Sequence, residues 1–536
     1  MTTSFALSEQ ENFAAWAALH DAVAESPRRY PVNDWCYRHP LATAADPAMD
    51  LWPIIKILYM VGACHQVHAG VPTKPLAPRV PSARRAVASA PPPTKMQWPS
   101  LDCEVLMLGS SVGNHALDGY LAQHHLDPLR EALSRRGLRS TTLLTDVAPK
   151  APQLDHTLLG QTLGAAPVLL AVQSHLPPGG DFALSELPGF EAWHAEISAL
   201  YPLDGVLDRQ MVVEIVEKIY STAYCLRRYF AQHALKAVIG YAYYGVVGLA
   251  AAFACRTLGI PFFDMQHGSA GRHHHCYAWP DMPAGGYNNL PSHFLCWSAI
   301  EANAIESCAV SSGPTAVAVG HSWRLMEQLL QTSSAGMGIG RCIPLAVRDH
   351  YAAQCADAVR RKAATAAAGL TTVLLTLRAD EDIAWLEPLL SAANRPFRVL
   401  IRLHPAESRA REKLARRVAA LETPIVEVTR PSRAPMSVLL RECDVHLTGY
   451  SSSILDARAF GVPSLCYAWS SRWFYSPDQY QQVEMVAPQA NAVRDAVLAL
   501  CAARPTSSNL PATLSLNEIG TLLAREILRL RAAKLG

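Results

Sequence analysis

The chain has 536 residues, of which 50% are hydrophobic and 17% charged, so it can bury a large core and we expect two or three domains. Its net charge of +2 comes from 47 basic and 45 acidic residues spread along the chain, which excludes the concentrated basic surface of a nucleic-acid-binding protein. The 13 cysteines form no CxxC pair. They therefore favour reduced thiols in a cytosol over a disulfide framework or a zinc ribbon.

Residues 1–70 predict a small helical segment, because AAWAALHDAVA has a helical apolar period. The start of the chain lacks a basic stretch followed by an apolar run, so we expect no signal peptide. The apolar stretch at 51–63 contains Lys56 and is too short to span a bilayer. It predicts a buried helix or one lying on a surface. We expect a cytoplasmic protein, with peripheral association at the inner face of the membrane as an alternative.

Residues 71–100 are rich in Pro, Ala and Arg and predict an exposed linker. Residues 101–330 then alternate short apolar runs with helical segments, the pattern of parallel strands covered by helices. The strand-like runs in this part are 103–109, 140–146, 236–243, 261–265, 293–297 and 315–320. A first Rossmann-like domain is therefore predicted.

The same alternation returns in residues 331–516, with strand-like runs at 371–377, 397–405, 424–428, 444–450 and 463–469. A polar, helical segment at about 325–365 separates the two series and is a predicted hinge. Residues 517–536 predict an amphipathic closing helix. The fold class is therefore α/β, with two doubly wound Rossmann-like domains.

Ligands of open parallel sheets bind outside the carboxyl ends of the strands, so the residues that follow each strand are the candidates for chemistry. In the first domain these are Asp118 in a polar loop, then Gln266, His267 and Gly268, and later His321. In the second domain they are Arg402, His404 and the three serines at 451–453. Polar residues at the same edge of both sheets predict a site between them.

The serine triplet begins the stretch SSSILDARAFGVP, directly after an apolar strand and before a helical segment. One serine there is typical of a helix N-cap. Three exceed what a cap requires and could bind a phosphate with their hydroxyls. Asp456 in the following turn could reach a ribose hydroxyl or face solvent, and Gly461 predicts the end of the helix.

The histidines have two interpretations each. His267 has a side chain suited to general base catalysis on a hydroxyl, but it could equally be a packed histidine between domains. His404 could contact a nucleotide or be buried against a carbonyl. His273, His274 and His275 suggest a metal, but adjacent residues point in different directions and lack zinc-like spacing, so we expect an exposed or substrate-facing loop. Asp118 is a second acid or base candidate or a turn residue.

The order DGY, QHG, RLHP and TGYSSSILDARAFGVP along residues 100–500 resembles GT-B glycosyltransferases of bacterial surface polysaccharide synthesis. The HP and serine motifs are similar to those of sialyltransferases, Kdo transferases and capsule polymerases that use CMP-sugars. With the histidine-glycine pair they also resemble CDP-glycerol glycerophosphotransferases of teichoic acid synthesis. The resemblance implies a central cleft between two domains, with the acceptor in the first and the nucleotide in the second.

The resemblance also implies residue roles. His404 would contact the nucleotide, Ser451 and Ser452 would bind its phosphate, and His267 would deprotonate the acceptor hydroxyl. Sialyltransferases use an acid from a motif of two acids and a glycine, and here Leu117 occupies the first acid position, next to Asp118. GT-B sites generally function without a metal, so no metal or other cofactor is expected.

The function expected from this resemblance is transfer of a sugar, with CMP-Kdo as a favoured donor, to a hydroxyl of a capsule, lipopolysaccharide or similar glycan. The partners would be a nucleotide-sugar and a glycan or glycolipid acceptor, with no nucleic acid. A polyol-phosphate transferase using CDP-glycerol or CDP-ribitol is the alternative enzyme. A catalytically inactive polysaccharide-binding or assembly subunit is the alternative of a different class. The oligomeric state is left open.

Overall fold

The structure, a computed structural model, describes most of the chain. The described residues are 9–39, 42, 46–69, 98–111, 114–146, 157–159, 162–165, 182–201, 209–271, 273–308, 313–332, 343–377, 397–403, 416, 426–468, 471–475, 480, 483–502 and 510–535. The predicted linker at 71–100 lies outside them except for its last three residues. His404 also lies outside the described residues.

The first domain is built on a seven-stranded parallel sheet with the strand order β11-β10-β9-β8-β3-β6-β7. Its strands are β3 (Val105–Gly109), β6 (Ser140–Leu144), β7 (Thr162–Gly164), β8 (Ala237–Tyr241), β9 (Phe262–Met265), β10 (His293–Cys296) and β11 (Thr315–Ala318). All residues of β3, β9 and β10 are buried, because helices cover both faces of a parallel sheet. These strands therefore appear in the sequence as continuous apolar runs.

Helices lie between several of these strands along the chain, and one follows the last strand. They are α3 (Asp127–Ser134), α4 (Phe190–Leu200), α5 (Arg209–Ala231), α6 (Val246–Leu258), α7 (Ala299–Glu306) and α8 (Ser322–Thr332). Helix α6 ends at Gly259, whose φ of 63° lies in the left-handed region where glycine is the favoured residue. Strands β4 (Asn114–Leu117) and β5 (Tyr120–Gln123) are joined by a two-residue turn and form an antiparallel hairpin outside the main sheet.

The N-terminal segment consists of α1 (Glu9–Arg29), a 3₁₀ turn (Val32–Asp34), the short strands β1 (Cys36–Tyr37) and β2 (Met49–Asp50), and α2 (Trp52–Ala69). It is anchored by aromatic packing, since the ring centroid of Trp35 lies 5.9 Å from that of Trp52 and 5.4 Å from that of Trp193 in α4. The side chains of the apolar stretch at the start of α2 are mostly buried. Of the two interpretations of that stretch, the structure shows the buried helix.

Among the described helices, none is both long enough and apolar enough to cross a membrane.

The second domain contains a six-stranded parallel sheet with the order β14-β13-β12-β15-β16-β17. Its strands are β12 (Thr371–Leu377), β13 (Phe397–Leu403), β14 (Val426–Glu427), β15 (Val445–Thr448), β16 (Ser464–Cys466) and β17 (Val483–Met485). The helices around it are α9 (Leu345–Ala367), α10 (Met436–Glu442), α11 (Ser453–Ala459), α12 (Ser471–Phe474) and α13 (Ala490–Ala502). The predicted hinge region is occupied by α8 and α9.

The C-terminal helix α14 (Leu516–Leu535) crosses back and packs on α3 of the first domain. Its approach is close at Gly520, where an added Cβ would lie 2.3 Å from the carbonyl oxygen of Ala132. The chain leading to this helix is bound by a backbone hydrogen bond from Leu514 to Val319, at the end of β11. The closing helix thus links the end of the second domain to the first.

Candidate functional site

The loops that follow β9 in the first domain and β15 in the second meet directly. An added Cβ on Gly268 would lie 3.6 Å from the Cβ of Ser452. Ser269 in the same loop lies beside the hydroxyl of Tyr475, which follows α12. The carboxyl ends of both parallel sheets therefore converge on one region, which we call the cleft site: residues 266–269 and 321 of the first domain and 451–456 of the second.

His267 lies at the first-domain side of the cleft site. Its Nε2 is 3.0 Å from the hydroxyl oxygen of Tyr244, and its Nδ1 is a buried atom without a hydrogen-bond partner among the described residues. Burial lowers the pKa of His267 to about 4, because desolvation disfavours the charged imidazolium. The imidazole is therefore neutral at neutral pH and can accept a proton.

Tyr244 determines which nitrogen of His267 is available. Burial raises the pKa of Tyr244 well above 10, so its hydroxyl is neutral and can accept a hydrogen bond as well as donate one. When Nε2–H donates to this oxygen, the lone pair remains on Nδ1. The tautomer in which Nδ1 is the basic atom is thus compatible with the contact at 3.0 Å.

Gln266 connects strand ends within the first domain. Its Oε1 accepts a hydrogen bond of 2.7 Å from the backbone of Trp297, and its Nε2 donates to the carbonyl oxygen of Gly268 at 2.8 Å. The side chain is buried and both ends are satisfied. Gln266 therefore holds the loop that carries His267 in place.

Aromatic and histidine rings surround His267 from elements that the sequence analysis did not select. The ring centroids of Tyr241 and His125 lie 6.1 Å and 6.3 Å from that of His267. His125 is also linked to the first residue of α8, because its Nδ1 is 2.9 Å from the hydroxyl of Ser322. The position of Tyr241 at the carboxyl end of β8 could have identified it from the sequence.

The three serines have different environments. Ser453 is 4% exposed, and its hydroxyl lies 2.9 Å from that of Thr376 and 3.1 Å from Nε2 of His446. It also donates to the hydroxyl of Ser451 at 2.8 Å, which in turn accepts from the backbone of Ser453 at 3.2 Å. Ser452 is partly exposed, and its side chain makes no capping hydrogen bond.

These contacts separate the roles within the triplet. Ser453 belongs to a buried polar network, Ser451 caps the first turn of α11 while remaining partly exposed, and Ser452 borders Gly268 across the cleft site. Helix α11 has only seven residues, so its dipole is small and hydroxyl groups are the main ligands that this loop offers. Ser451 and Ser452 are therefore the serines that could bind a phosphate.

His321 and Asp456 form a contact between the domains. The Nδ1 of His321 accepts a backbone hydrogen bond of 3.3 Å from Trp323, and its Nε2 lies 3.1 Å from Oδ1 of Asp456. The geometry is that of an electrostatic contact rather than a hydrogen bond. Asp456, a candidate for the ribose, is in this structure turned toward the first domain.

Asp118 lies at the tip of the β4–β5 hairpin. Asp118 and Gly119 have φ angles of 47° and 81°, as the two central residues of a type I′ turn require. The side chain of Asp118 is 41% exposed, and its Oδ1 is 3.9 Å from Nδ1 of His350 in α9. The structure therefore shows a turn residue here, and the catalytic role of Asp118 stays a prediction.

Arg402 in β13 is buried. One of its guanidinium nitrogens donates to the carbonyl oxygens of Pro431 and Ala434, so it supports the loop before α10. Its predicted partner in nucleotide binding, His404, lies outside the described residues.

The histidine run contains the one group of potential metal ligands found among the described residues. Side-chain ligand atoms of His274, His275 and Cys276 lie within 4.8 Å of one another. The backbone N–H of Cys276 already donates to Nδ1 of His274 at 3.2 Å. Lys56 is buried nearby, and its positive charge opposes a cation.

Two parallel α/β sheets with flanking helices, whose carboxyl ends converge on one cleft, define a GT-B-type two-domain fold. No protein-family model matches the chain, and no curated protein matches it significantly.

Several solved structures are similar to it. The UDP-GlcNAc 2-epimerase from Neisseria meningitidis bound to UDP-GlcNAc is 12% identical and has a TM-score of 0.47, and the similarity covers 79% of this chain and 99% of that one. For the Methanocaldococcus jannaschii UDP-GlcNAc 2-epimerase the values are 10%, 0.43, 79% and 99%. For the wall teichoic acid polymerase TagF they are 9%, 0.38, 80% and 90%. Similarity at this level carries no argument about chemistry, so the function is argued from the cleft site.

Proposed function

We propose that the protein is a metal-independent transferase that moves a sugar from a nucleotide-activated donor to a hydroxyl of a surface glycan. The observation that carries the proposal is the placement of His267 and Ser452 on opposite sides of the cleft site, with Gly268 in contact with Ser452. The loop that carries this neutral base and the loop that carries the hydroxyls of Ser451 and Ser452 thereby adjoin. This is the arrangement that transfer between a bound acceptor and a bound donor requires.

The base in this proposal is Nδ1 of His267. It lacks a partner among the described residues, while Nε2 is held by Tyr244 at 3.0 Å. As the acceptor oxygen attacks the anomeric carbon, its proton moves to Nδ1 and the bond from that carbon to the donor phosphate oxygen breaks. The electron pair leaves with the phosphate as the nucleotide product.

The hydroxyls of Ser451 and Ser452 would stabilise the leaving phosphate. Both are partly exposed, and neither requires a divalent cation to interact with an oxyanion. Gly268 has no side chain at the point where it meets Ser452, so the two loops can approach closely when the domains close over the donor. Closure of this kind excludes water that would hydrolyse the donor.

The choice of a CMP-activated sugar, such as CMP-Kdo, rests on the resemblance of the HP and serine motifs to those of CMP-sugar transferases. The second candidate, a CDP-glycerol or CDP-ribitol polyol-phosphate transferase, is favoured by the histidine-glycine pair at His267 and Gly268. It would use the same base, but the acceptor oxygen would attack phosphorus and CMP would leave.

A two-part experiment tests the proposal. Thermal shifts with CMP, CDP, UDP and GDP identify the nucleotide: the largest shift with CMP supports the sugar transferase, and the largest with CDP supports the polyol-phosphate transferase. Turnover of the matching donor is then measured in the wild type, in His267→Ala and in His233→Ala, a histidine beyond α5 that lies away from the cleft site.

We expect His267→Ala to retain nucleotide binding and to lose activity by about 100- to 10,000-fold, the usual contribution of a general base, while His233→Ala keeps wild-type activity. Nucleotide binding without turnover of any donor by the wild type would instead indicate the inactive binding subunit. Equal turnover by wild type and His267→Ala would remove His267 from the mechanism.

A further inference from the structure

A cavity lies in the first domain, apart from the residues of the cleft site. It has a volume of about 370 Å³ and is enclosed by α1, α2, the histidine loop at 273–280 and the residues that follow α7. We call it the Lys56 pocket. Its lining includes the polar residues Lys56, His275, His273, His20 and Asp21. Neither the proposed base nor the serine loop belongs to it.

Lys56 is a buried cation without a matching anion. Its side chain is 5% exposed, its Nζ donates a hydrogen bond to the carbonyl oxygen of Ala278, and the same atom lies 4.1 Å from the ring centroid of Trp279. No carboxylate of the described residues lies within ion-pair distance of it. An ammonium group has three N–H donors, so the carbonyl of Ala278 satisfies only part of its capacity.

Desolvation lowers the pKa of Lys56 to about 7, because burial without a counter-ion disfavours the ammonium form. A buried lysine is costly to keep in a fold when an apolar residue could fill the same space. A ligand anion in the pocket would offset that cost.

His275 gives an independent indication of a ligand. Its side chain is 6% exposed, it lines the same pocket, and its Nδ1 has no hydrogen-bond partner among the described residues. Buried polar atoms are normally hydrogen-bonded. His275, with an unmatched ring nitrogen, and Lys56, with an incompletely matched ammonium, therefore line the same pocket.

The acidic group at the pocket does not neutralise these donors. The side chain of Asp21 is 78% exposed, and its Oδ1 lies 3.6 Å from Nδ1 of His20. It is therefore at the solvent-facing rim, next to a histidine, whereas Lys56 and His275 are buried.

We propose that the Lys56 pocket binds the phosphate group of a small phosphate ester. The ammonium of Lys56 and a ring N–H of His275 would donate to the phosphate oxygens, which are strong acceptors for charged donors. A volume of about 370 Å³ lies near the lower limit for small-molecule sites. It suits a phosphorylated polyol or sugar rather than a complete nucleotide-sugar.

The pocket lies behind the proposed base, separated from it by a layer of rings. The hydroxyl of Tyr244 contacts His267, the ring centroid of Tyr244 is 6.0 Å from that of His274, and the rings of His274 and His275 stack at 4.9 Å. This position places the phosphate on the acceptor side of the first domain. The assignment of the phosphate ester to the acceptor rests on the proposed function, whereas the binding of the phosphate does not.

Isothermal titration calorimetry with glycerol 3-phosphate and with inorganic phosphate tests the pocket on the full chain. Three proteins are compared: the wild type, Lys56→Met, and the matched control Lys218→Met, a half-buried lysine in α5 outside the pocket. We expect Lys56→Met to weaken binding of glycerol 3-phosphate by about tenfold or more, the effect of losing a charged donor. Lys218→Met should bind as the wild type does.

If Lys56→Met fails to fold, His275→Phe removes the second donor with little change in shape and is expected to weaken binding severalfold. Stronger binding of the ester than of inorganic phosphate supports a phosphorylated organic ligand, and equal binding supports the phosphate ion itself as the ligand. Unchanged affinity in both pocket variants, or no binding by the wild type, would overturn the proposal.

A competition experiment separates this pocket from the cleft site. Saturation with the best-binding nucleotide should leave glycerol 3-phosphate binding intact, and Ser452→Ala should weaken only the nucleotide. Displacement of glycerol 3-phosphate by the nucleotide would place the ester in the cleft and contradict the proposal. Loss of phosphate binding in Lys56→Met, combined with unchanged turnover in His267→Ala, would preserve the pocket and refute the proposed catalytic mechanism.

Discussion

Lowering the pH from 7 to 5 should have little effect on the catalytic step if His267 is the base. Burial lowers its pKa to about 4. The decrease of kcat/KM at acidic pH should therefore have its midpoint near pH 4, rather than near the pKa of about 6.5 of an exposed histidine. The perturbation requires no mutation. It tests the protonation state that the environment of His267 determines.

The magnitude follows from the two pKa values. At pH 5, a histidine with a pKa of about 4 is about 90% neutral, whereas one with a pKa of about 6.5 is about 3% neutral. The two situations therefore differ by about 30-fold in the fraction of active enzyme. A difference of this size is easily measured in a donor-transfer assay.

The assay measures kcat/KM between pH 4.5 and 8 with the donor identified by thermal shift, and circular dichroism at each pH verifies that the protein is folded. Tyr244→Phe is measured in parallel, because it removes the hydroxyl that contacts Nε2 at 3.0 Å and keeps the ring. We expect it to lower kcat/KM by about 2- to 10-fold, the effect of one hydrogen bond. Tyr224→Phe, at a partly buried tyrosine of α5, is the control.

A decrease of kcat/KM with a midpoint near pH 6.5 in a folded protein would refute the assignment. It would mean that the reacting group is an ordinary solvated histidine, and the buried ring of His267 would then be structural. Equal effects of Tyr244→Phe and Tyr224→Phe would separately show that the contact with Nε2 does not position the base.

Three further predictions concern stability and the serine loop. Burial lowers the pKa of His446 to about 4, below its value of about 6.5 in the unfolded chain, so the unfolded state binds the proton first. This side chain should therefore contribute about 3 kcal/mol to the decrease in the free energy of unfolding as the pH falls between these values, in addition to the contribution of His267. Urea unfolding measures it as the difference between the wild type and His446→Gln, and an equal decrease in both would contradict it. Ser453→Ala should destabilise the fold by about 1–3 kcal/mol in urea unfolding, because it removes a buried hydrogen-bonding partner. Ser452→Ala should leave stability unchanged and weaken nucleotide binding, measured by calorimetry, about tenfold. The reverse pattern would exchange the roles of the two serines. Gly520→Ala should lower the free energy of unfolding by about 1–3 kcal/mol, because its added Cβ would clash with the backbone of α3. The control Gly285→Ala, whose Cβ would meet no atom within 4 Å, should leave thermal unfolding unchanged. Equal stability of the two variants would show that α14 can shift.

Much of the fold is predictable because its strands are buried on both faces. A strand of this kind must be apolar along its length, so the runs around Val105, Phe262 and Thr371 can be recognised without any tertiary information. The hairpin at β4–β5 is different. Its strands lie outside the main sheet and are not continuously apolar, so the sequence around the DG pair at 118–119 predicts a polar loop rather than a hairpin.

The candidate site is only partly predictable for a related reason. The sequence shows polar residues directly after β9, β11 and β15. Because the carboxyl ends of parallel strands share an edge of the sheet, these residues can be assigned to one region. The partner of each residue is not visible. Tyr244 is separated from His267 along the chain by α6 and β9, and Asp456 contacts His321 from another domain.

The amino-acid sequence was sufficient to predict the two series of parallel strands, the end of a helix at Gly461, and the concentration of polar groups at one edge of each sheet. These features depend on local periodicity and backbone preference, which any stretch of chain carries within itself. Tertiary packing, by contrast, buries Ser453 against His446, sets Ser452 opposite Gly268, and brings Lys56 and His275 to the same pocket. Those outcomes depend on packing between segments far apart in the chain, and desolvation acts on a side chain only after such packing has surrounded it.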